Sequence, residues 1–156
     1  MMKKMLLVSF LSLMAVVAHA QYKSTVAVYV TGHADKAERN IVASKAVARL
    51  SKSKEYVAVE RTGTFMAALA KEQDYQLSGE VADEDIAELG KRYGARYVAV
   101  FEVSKTRDRA MFISARMIDV ETGAIVRTAD ANRDIRSTDD VVALTNSVAY
   151  RLISKK

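Results

Sequence analysis

The sequence contains no cysteine. Disulfides, thiolate nucleophiles and cysteine-bound zinc are therefore excluded, and so is a lipid attached through an N-terminal cysteine. Proline is absent as well. With no serine-rich linker and no internal repeat, nothing marks a boundary between domains. Only two histidines occur, His19 and His33. Glycine is sparse: Gly32 and Gly63 stand alone and build neither G-x-G-x-x-G nor a phosphate loop with its lysine. No D-x-D-x-D-G loop appears, although scattered carboxylates leave a calcium site arithmetically open. Beyond residue 20 no stretch is long and apolar enough to span a bilayer as a helix.

What is present begins with a three-part leader. Lys3 and Lys4 open it, Met5 to Val17 form an apolar run, and Ala18-His19-Ala20 is an A-x-A site before Gln21. This is the layout of a secretory signal peptide cleaved between Ala20 and Gln21. The apolar run has 13 residues, short of the ~20 that a membrane-spanning helix needs. Removing residues 1–20 from the 156 leaves 136, enough for one domain with its own core (residues 21–156). The chain is expected to be exported to the periplasm, with secretion or a peripheral place at the outer membrane as alternatives.

The 24 basic and 19 acidic residues include Lys3 and Lys4, so the exported chain carries 22 against 19, a net +3. The two signs are interspersed, as on a solvated surface. No basic stripe with interleaved aromatics stands out along the chain, which argues against a nucleic-acid partner.

Periodicity places the elements. Thr25 to Thr31 is a β-branched run that reads as a buried strand. Ala34 to Leu50 reads as a helix, Glu55 to Glu60 as a short strand, and Thr62 to Gln73 as a capped helix with an apolar stripe at Phe65, Met66, Leu69 and Ala70. A polar loop follows. Asp83 then caps a further helix, with Glu84 and Asp85 in the first turn where the dipole favours acids. Consecutive acids diverge on a helix, so capping explains them better than metal binding does. Gly94 suits the exit of that helix. Arg96 to Ser104 is apolar on both faces from Tyr97 to Phe101, which suggests a central strand. A turn at Lys105 to Arg109 leads to strands Ala110 to Val120 and Ala124 to Asn132. Ser137 or Thr138 caps a last helix with Val141, Leu144, Val148 and Leu152 at helical spacing. The order βαβααβββα predicts an α/β single-domain sandwich, a mixed sheet with helices packed on it.

Few groups could do chemistry. Asp119 precedes the turn Glu121-Thr122-Gly123, where Gly123 can take a positive φ. An aspartate there accepts hydrogen bonds from turn amides. Catalysis would need a partner, and Glu121, the nearest acid, has no histidine beside it. His33 follows Gly32 at a strand end, a place where α/β folds hold ligands. Without a serine–histidine–acid order it reads as a loop surface residue. Met66, Met111 and Met117 lie in apolar patterns and read as core.

Three stretches carry a resemblance: Val59 to Gly79 (VERTGTFMAALAKEQDYQLSG), Ile86 to Val100 (IAELGKRYGARYVAV) and Arg116 to Val126 (RMIDVETGAIV). Within them stand Glu72, Gln73, Gln76, Ser78 and Gly79, then Leu89, Gly90, Gly94, Ala95, Tyr97 and Val98, then Asp119 and Gly123. The chain resembles the CsgG-like envelope domains over Thr25 to Ile153. That group includes the curli-secretion channel protein and the penicillin-binding-protein activator LpoB, and its fold is similar to the N-terminal domain of TolB. The resemblance implies a non-catalytic binding or adaptor module with a protein partner in the envelope, no cofactor and no catalytic or metal residues. It also implies the alternative of a soluble subunit of a self-assembled ring. A small-ligand binder or enzyme using His33 is the third reading. The chain departs from the group in having no lipid-accepting cysteine and almost no N-terminal tether. Only Lys105 to Arg109 stands where the channel proteins carry membrane-spanning hairpins, and Arg96 stands where the group commonly has a smaller or acidic residue.

Overall fold

The computed structural model describes residues 23–59, 83–92, 94–106 and 109–154, with the side chains of 83–85 and 89 excepted. The expected helix Thr62 to Gln73 lies outside these residues, as do Glu60, Gly63, Glu72, Gln73, Gly79 and the cleavage site Ala20–Gln21.

The described chain runs β1 (Ser24–Gly32), α1 (Lys36–Ser51), β2 (Tyr56–Ala58), α2 (Asp83–Arg92), β3 (Tyr97–Lys105), β4 (Ala110–Asp119), β5 (Ile125–Asp134) and α3 (Thr138–Ile153). The strands form one mixed sheet in the order β2-β1-β3-β4-β5. β1 is parallel to both β2 and β3, and the β3–β4–β5 ladder is antiparallel. The run expected to be central, β3, is the middle strand. Both of its neighbours are long, and it is buried on both faces from Val98 to Phe101, which is why its sequence does not alternate.

The two faces carry separate apolar layers. Val26, Val28 and Val30 of β1, Ala99, Phe101 and Val103 of β3, and Met111, Ile113, Ala115 and Met117 of β4 face α1 and α3. Ala27, Tyr29, Val98, Val100 and Ile118 face the other way, where Ile86 and Ala87 of α2 pack with them. The alternation of side chains along each strand sorts these two sets.

Local chemistry sets the helix ends. Asp35 accepts from the Glu38 amide at 2.8 Å while Glu38 Oε2 accepts from the Asp35 amide at 3.2 Å. This capping box starts α1 at Lys36 rather than at Ala34. Asp140 Oδ2 accepts from the Arg136 and Ser137 amides at the start of α3, and Ser137 is the N-cap. At the end of α2 the Ala95 amide reaches Gly90 O at 3.0 Å and the Gly94 amide reaches Lys91 O at 3.1 Å, with Gly94 at φ +67°. This is a Schellman motif, which satisfies carbonyls that a helix end leaves open. The strand bounds also differ slightly from expectation. β2 is only Tyr56–Ala58 among the described residues, and β5 runs on to Asp134 because its pairing with β4 extends to Ala110.

Candidate functional site

The antiparallel pairing of β3 with β4 sets Tyr97 opposite Asp119. Arg96, one residue before β3, therefore meets the β4–β5 turn. Its Nη2 donates to Asp119 Oδ2 at 2.9 Å, and its Nη1 donates to Glu121 Oε2. Asp119 Oδ1 accepts from the amides of Glu121 (2.9 Å) and Thr122 (3.2 Å). The turn closes with the Gly123 amide on Asp119 O at 2.8 Å and the Asp119 amide on Ala124 O at 2.9 Å, with Gly123 at φ +69°. Asp119 is 6 % exposed. Burial alone pushes its carboxyl up, but the Thr122 and Glu121 amides and the Arg96 guanidinium outweigh that and hold it below the ordinary carboxylate value. Such a group is an ionised acceptor with its oxygens engaged. It is suited to holding a turn and unsuited to taking a proton near neutral pH.

The corner extends to β1 and α2. Thr25 Oγ1 donates to Gly94 O at 3.1 Å and accepts from the Arg96 amide at 2.9 Å. The Val120 amide donates to Arg96 O at 3.1 Å. Gly90 lies so close to the sheet that a Cβ there would stand 2.5 Å from Val98 Cγ2 and 2.9 Å from Val120 Cγ2. Gly90, Gly94, Ala95, Asp119 and Gly123, drawn from two separate stretches, thus meet at one end of the sheet. Linear spacing did not show that Arg96 and Thr25 join them. Arg96 is detectable only once β3 and β4 are paired, and Thr25 carries no sequence signal.

His33 sits at the opposite end, where β1 and β3 finish. It is exposed, and its amide donates to Val103 O at 2.9 Å. The charges around it are already paired. Lys105 Nζ lies 2.7 Å from Glu38 and 3.9 Å from Asp35, and Arg39 Nη1 donates to Gly32 O and Ala34 O. The Glu38 hydrogen bond raises the Lys105 ammonium above its ordinary value, and the Glu38 amide lowers the Asp35 carboxyl. The α1 N-terminus, an anion site in many folds, is filled by the chain's own Asp35 and Glu38. Among the described residues no three His, Asp or Glu side chains converge as metal ligands, and no helix is long and apolar enough to cross a membrane.

No protein-family model matches the chain, and no curated protein matches it in sequence. Solved structures do share its fold. The PelC dodecamer from Paraburkholderia phytofirmans matches with a TM-score of 0.59 at 18% identity, over 89% of this chain and 93% of that one. The LpoB C-terminal domain from Salmonella enterica matches with a TM-score of 0.51 at 16% identity, over 80% and 92%. TolB from Acinetobacter baumannii matches with a TM-score of 0.50 at 14% identity, over 85% of this chain and 29% of that protein. The chain is therefore similar in fold to PelC and to the LpoB C-terminal domain along nearly their whole solved length.

Proposed function

We propose that the chain is a non-catalytic binding module of a cell-envelope assembly, exported by residues 1–20 and working in the periplasm as one domain, residues 21–156. The observation that carries this reading is the fold shared with PelC and with the LpoB C-terminal domain. The engagement of Asp119 by Arg96 and by turn amides supports it, because the one buried carboxylate among the described residues is committed to the fold. The role nearest to the resemblance is that of an adaptor or activator that docks on one envelope protein.

The test is crosslinking in cells of the tagged chain, followed by mass spectrometry of the envelope fraction. One envelope protein captured in stoichiometric amount is the expected result. Fractionation of the protein with the cytoplasm would sink the reading.

A second reading, a subunit of a closed ring, is favoured by the dodecameric state of PelC. Light scattering on the exported chain separates the two readings: a monomer at high micromolar concentration argues for the adaptor, and a closed oligomer for the ring.

A further inference from the structure

The outer surface of the helical layer ends in a basic patch that the linear sequence hides. Lys45, Arg49 and the C-cap residue Lys52 follow one another at spacings of four and three, which puts them in one stripe that runs along α1 onto its end. Lys45 and Lys52 are exposed. From the end of α3, Tyr150 brings its ring to 4.9 Å from the Arg49 guanidinium carbon. Tyr150 is 54% exposed. Arg151 beside it is exposed and donates to the main-chain oxygen of Asp130 at 2.9 Å. The Arg49–Tyr150 contact shows that the C-terminal ends of the two helices lie side by side.

Among the described residues no carboxylate pairs with Lys45, Arg49, Lys52 or Arg151. Apart from Glu55, which faces Arg127 at 3.7 Å, the acids of this layer stand at the helix starts, where Asp35 and Glu38 meet Lys105 and Asp140 meets Arg133. The Asp130 carboxylate does not neutralise the patch: its residue pairs with Ser114 and shares that strand's other face, away from the helices. Helix dipoles account for bases in the last turns, Arg49 and Arg151. They do not account for Lys45 a turn earlier or for the exposed tyrosine. Arg49 Nε is moreover buried without a hydrogen-bond partner.

We propose that this surface docks on an anionic phospholipid membrane. The four cations are spread over two adjacent helices rather than gathered round a concave site, which fits a planar, diffuse array of phosphates. An exposed tyrosine, apolar in its ring and polar at its tip, is the kind of side chain that settles at headgroup level. Attraction of this kind holds a protein at the surface reversibly and is screened by salt. The inference does not rest on the protein-partner reading and stands whichever partner is captured.

Co-sedimentation tests it, with a chain starting at Gln21 that keeps every element from β1 to α3. The vesicles are phosphatidylglycerol mixed with phosphatidylcholine, against phosphatidylcholine alone. Binding to the anionic vesicles only, weakening as salt rises, is expected. Lys45→Gln and Lys52→Gln should each lower the partition coefficient about fivefold, with circular dichroism unchanged because both side chains are exposed. Tyr150→Ser should lower it further at every salt concentration. Equal partition onto both vesicle types, or no response to the two lysine substitutions, would overturn the proposal. Binding to soluble polyphosphate with no binding to anionic vesicles would overturn it too, and would point to a soluble polyanion.

Discussion

Replacing Gly90 by alanine sets two opposed effects against each other. Alanine is the better helix former, and in a helix interior the exchange favours folding by about 1 kcal/mol. The added methyl, however, has nowhere to go. It would lie 2.5 Å from Val98 Cγ2, 2.9 Å from Val120 Cγ2 and 3.9 Å from Val120 Cγ1. Val98 and Val120 are 3% and 8% exposed, and a β-branched side chain has few rotamers into which it can retreat. α2 must then lift from β3 and loosen the contacts of Ile86 and Ala87 with the sheet. Overpacking of this kind costs about 1–3 kcal/mol. With both valines hemmed in, the upper end applies, and the net loss is about 2 kcal/mol after the propensity gain. That corresponds to a fall of roughly 5–10 °C in Tm. Urea denaturation of Gly90→Ala, Val98→Ala and the double variant measures it. Because Val98→Ala removes the methyl nearest the clash, the double variant should be less destabilised than the sum of the singles. A Gly90→Ala chain as stable as the parent, or strict additivity, would refute the close seating of α2 on β3.

Other consequences follow from the same geometry. A Cβ at Gly123 meets no atom within 4 Å, so the cost of Gly123→Val comes chiefly from the φ of +69°; we expect about 1 kcal/mol or more, and an unchanged melting temperature would refute the turn. Phe101 is fully buried in the middle strand, and Phe101→Ala should cost about 3–5 kcal/mol in urea denaturation. Asp119, Asp35 and Asp140 all have carboxyls lowered below the ordinary 3.8, with hydrogen bonds from the Arg136 and Ser137 amides acting on the last of them. The stability they add is present above that value and is lost as pH falls through their lower folded-state values. The urea midpoint should therefore drop below about pH 4. Asp119→Asn should lower the midpoint at neutral pH and flatten that acid slope; the parent's slope in the variant would show that Asp119 is not among the groups responsible.

Much of this molecule is written in short-range signals. The β-branched run at Thr25 to Thr31, the unalternating run from Tyr97 to Phe101, and glycines at Gly94 and Gly123 each act over a few residues. Among the described residues the strand, helix and turn types were therefore readable, as was the mixed α/β architecture. The bounds slipped by a residue or two where a cap or a ladder partner decided them, as Asp35 did for α1 and Ala110 for the end of β5. Sheet order is different, because it depends on which faces find each other once the helices pack. Only the tertiary structure put β1 between β2 and β3. It also brought Arg96 onto Asp119 and Glu121, pressed Gly90 against Val98 and Val120, and placed Arg49 of α1 over Tyr150 of α3. Each of those contacts joins residues of different elements or turns. A hydrogen bond, a methyl clash or a charge patch requires proximity in space, and sequence spacing encodes that proximity only within a single helix, strand or turn.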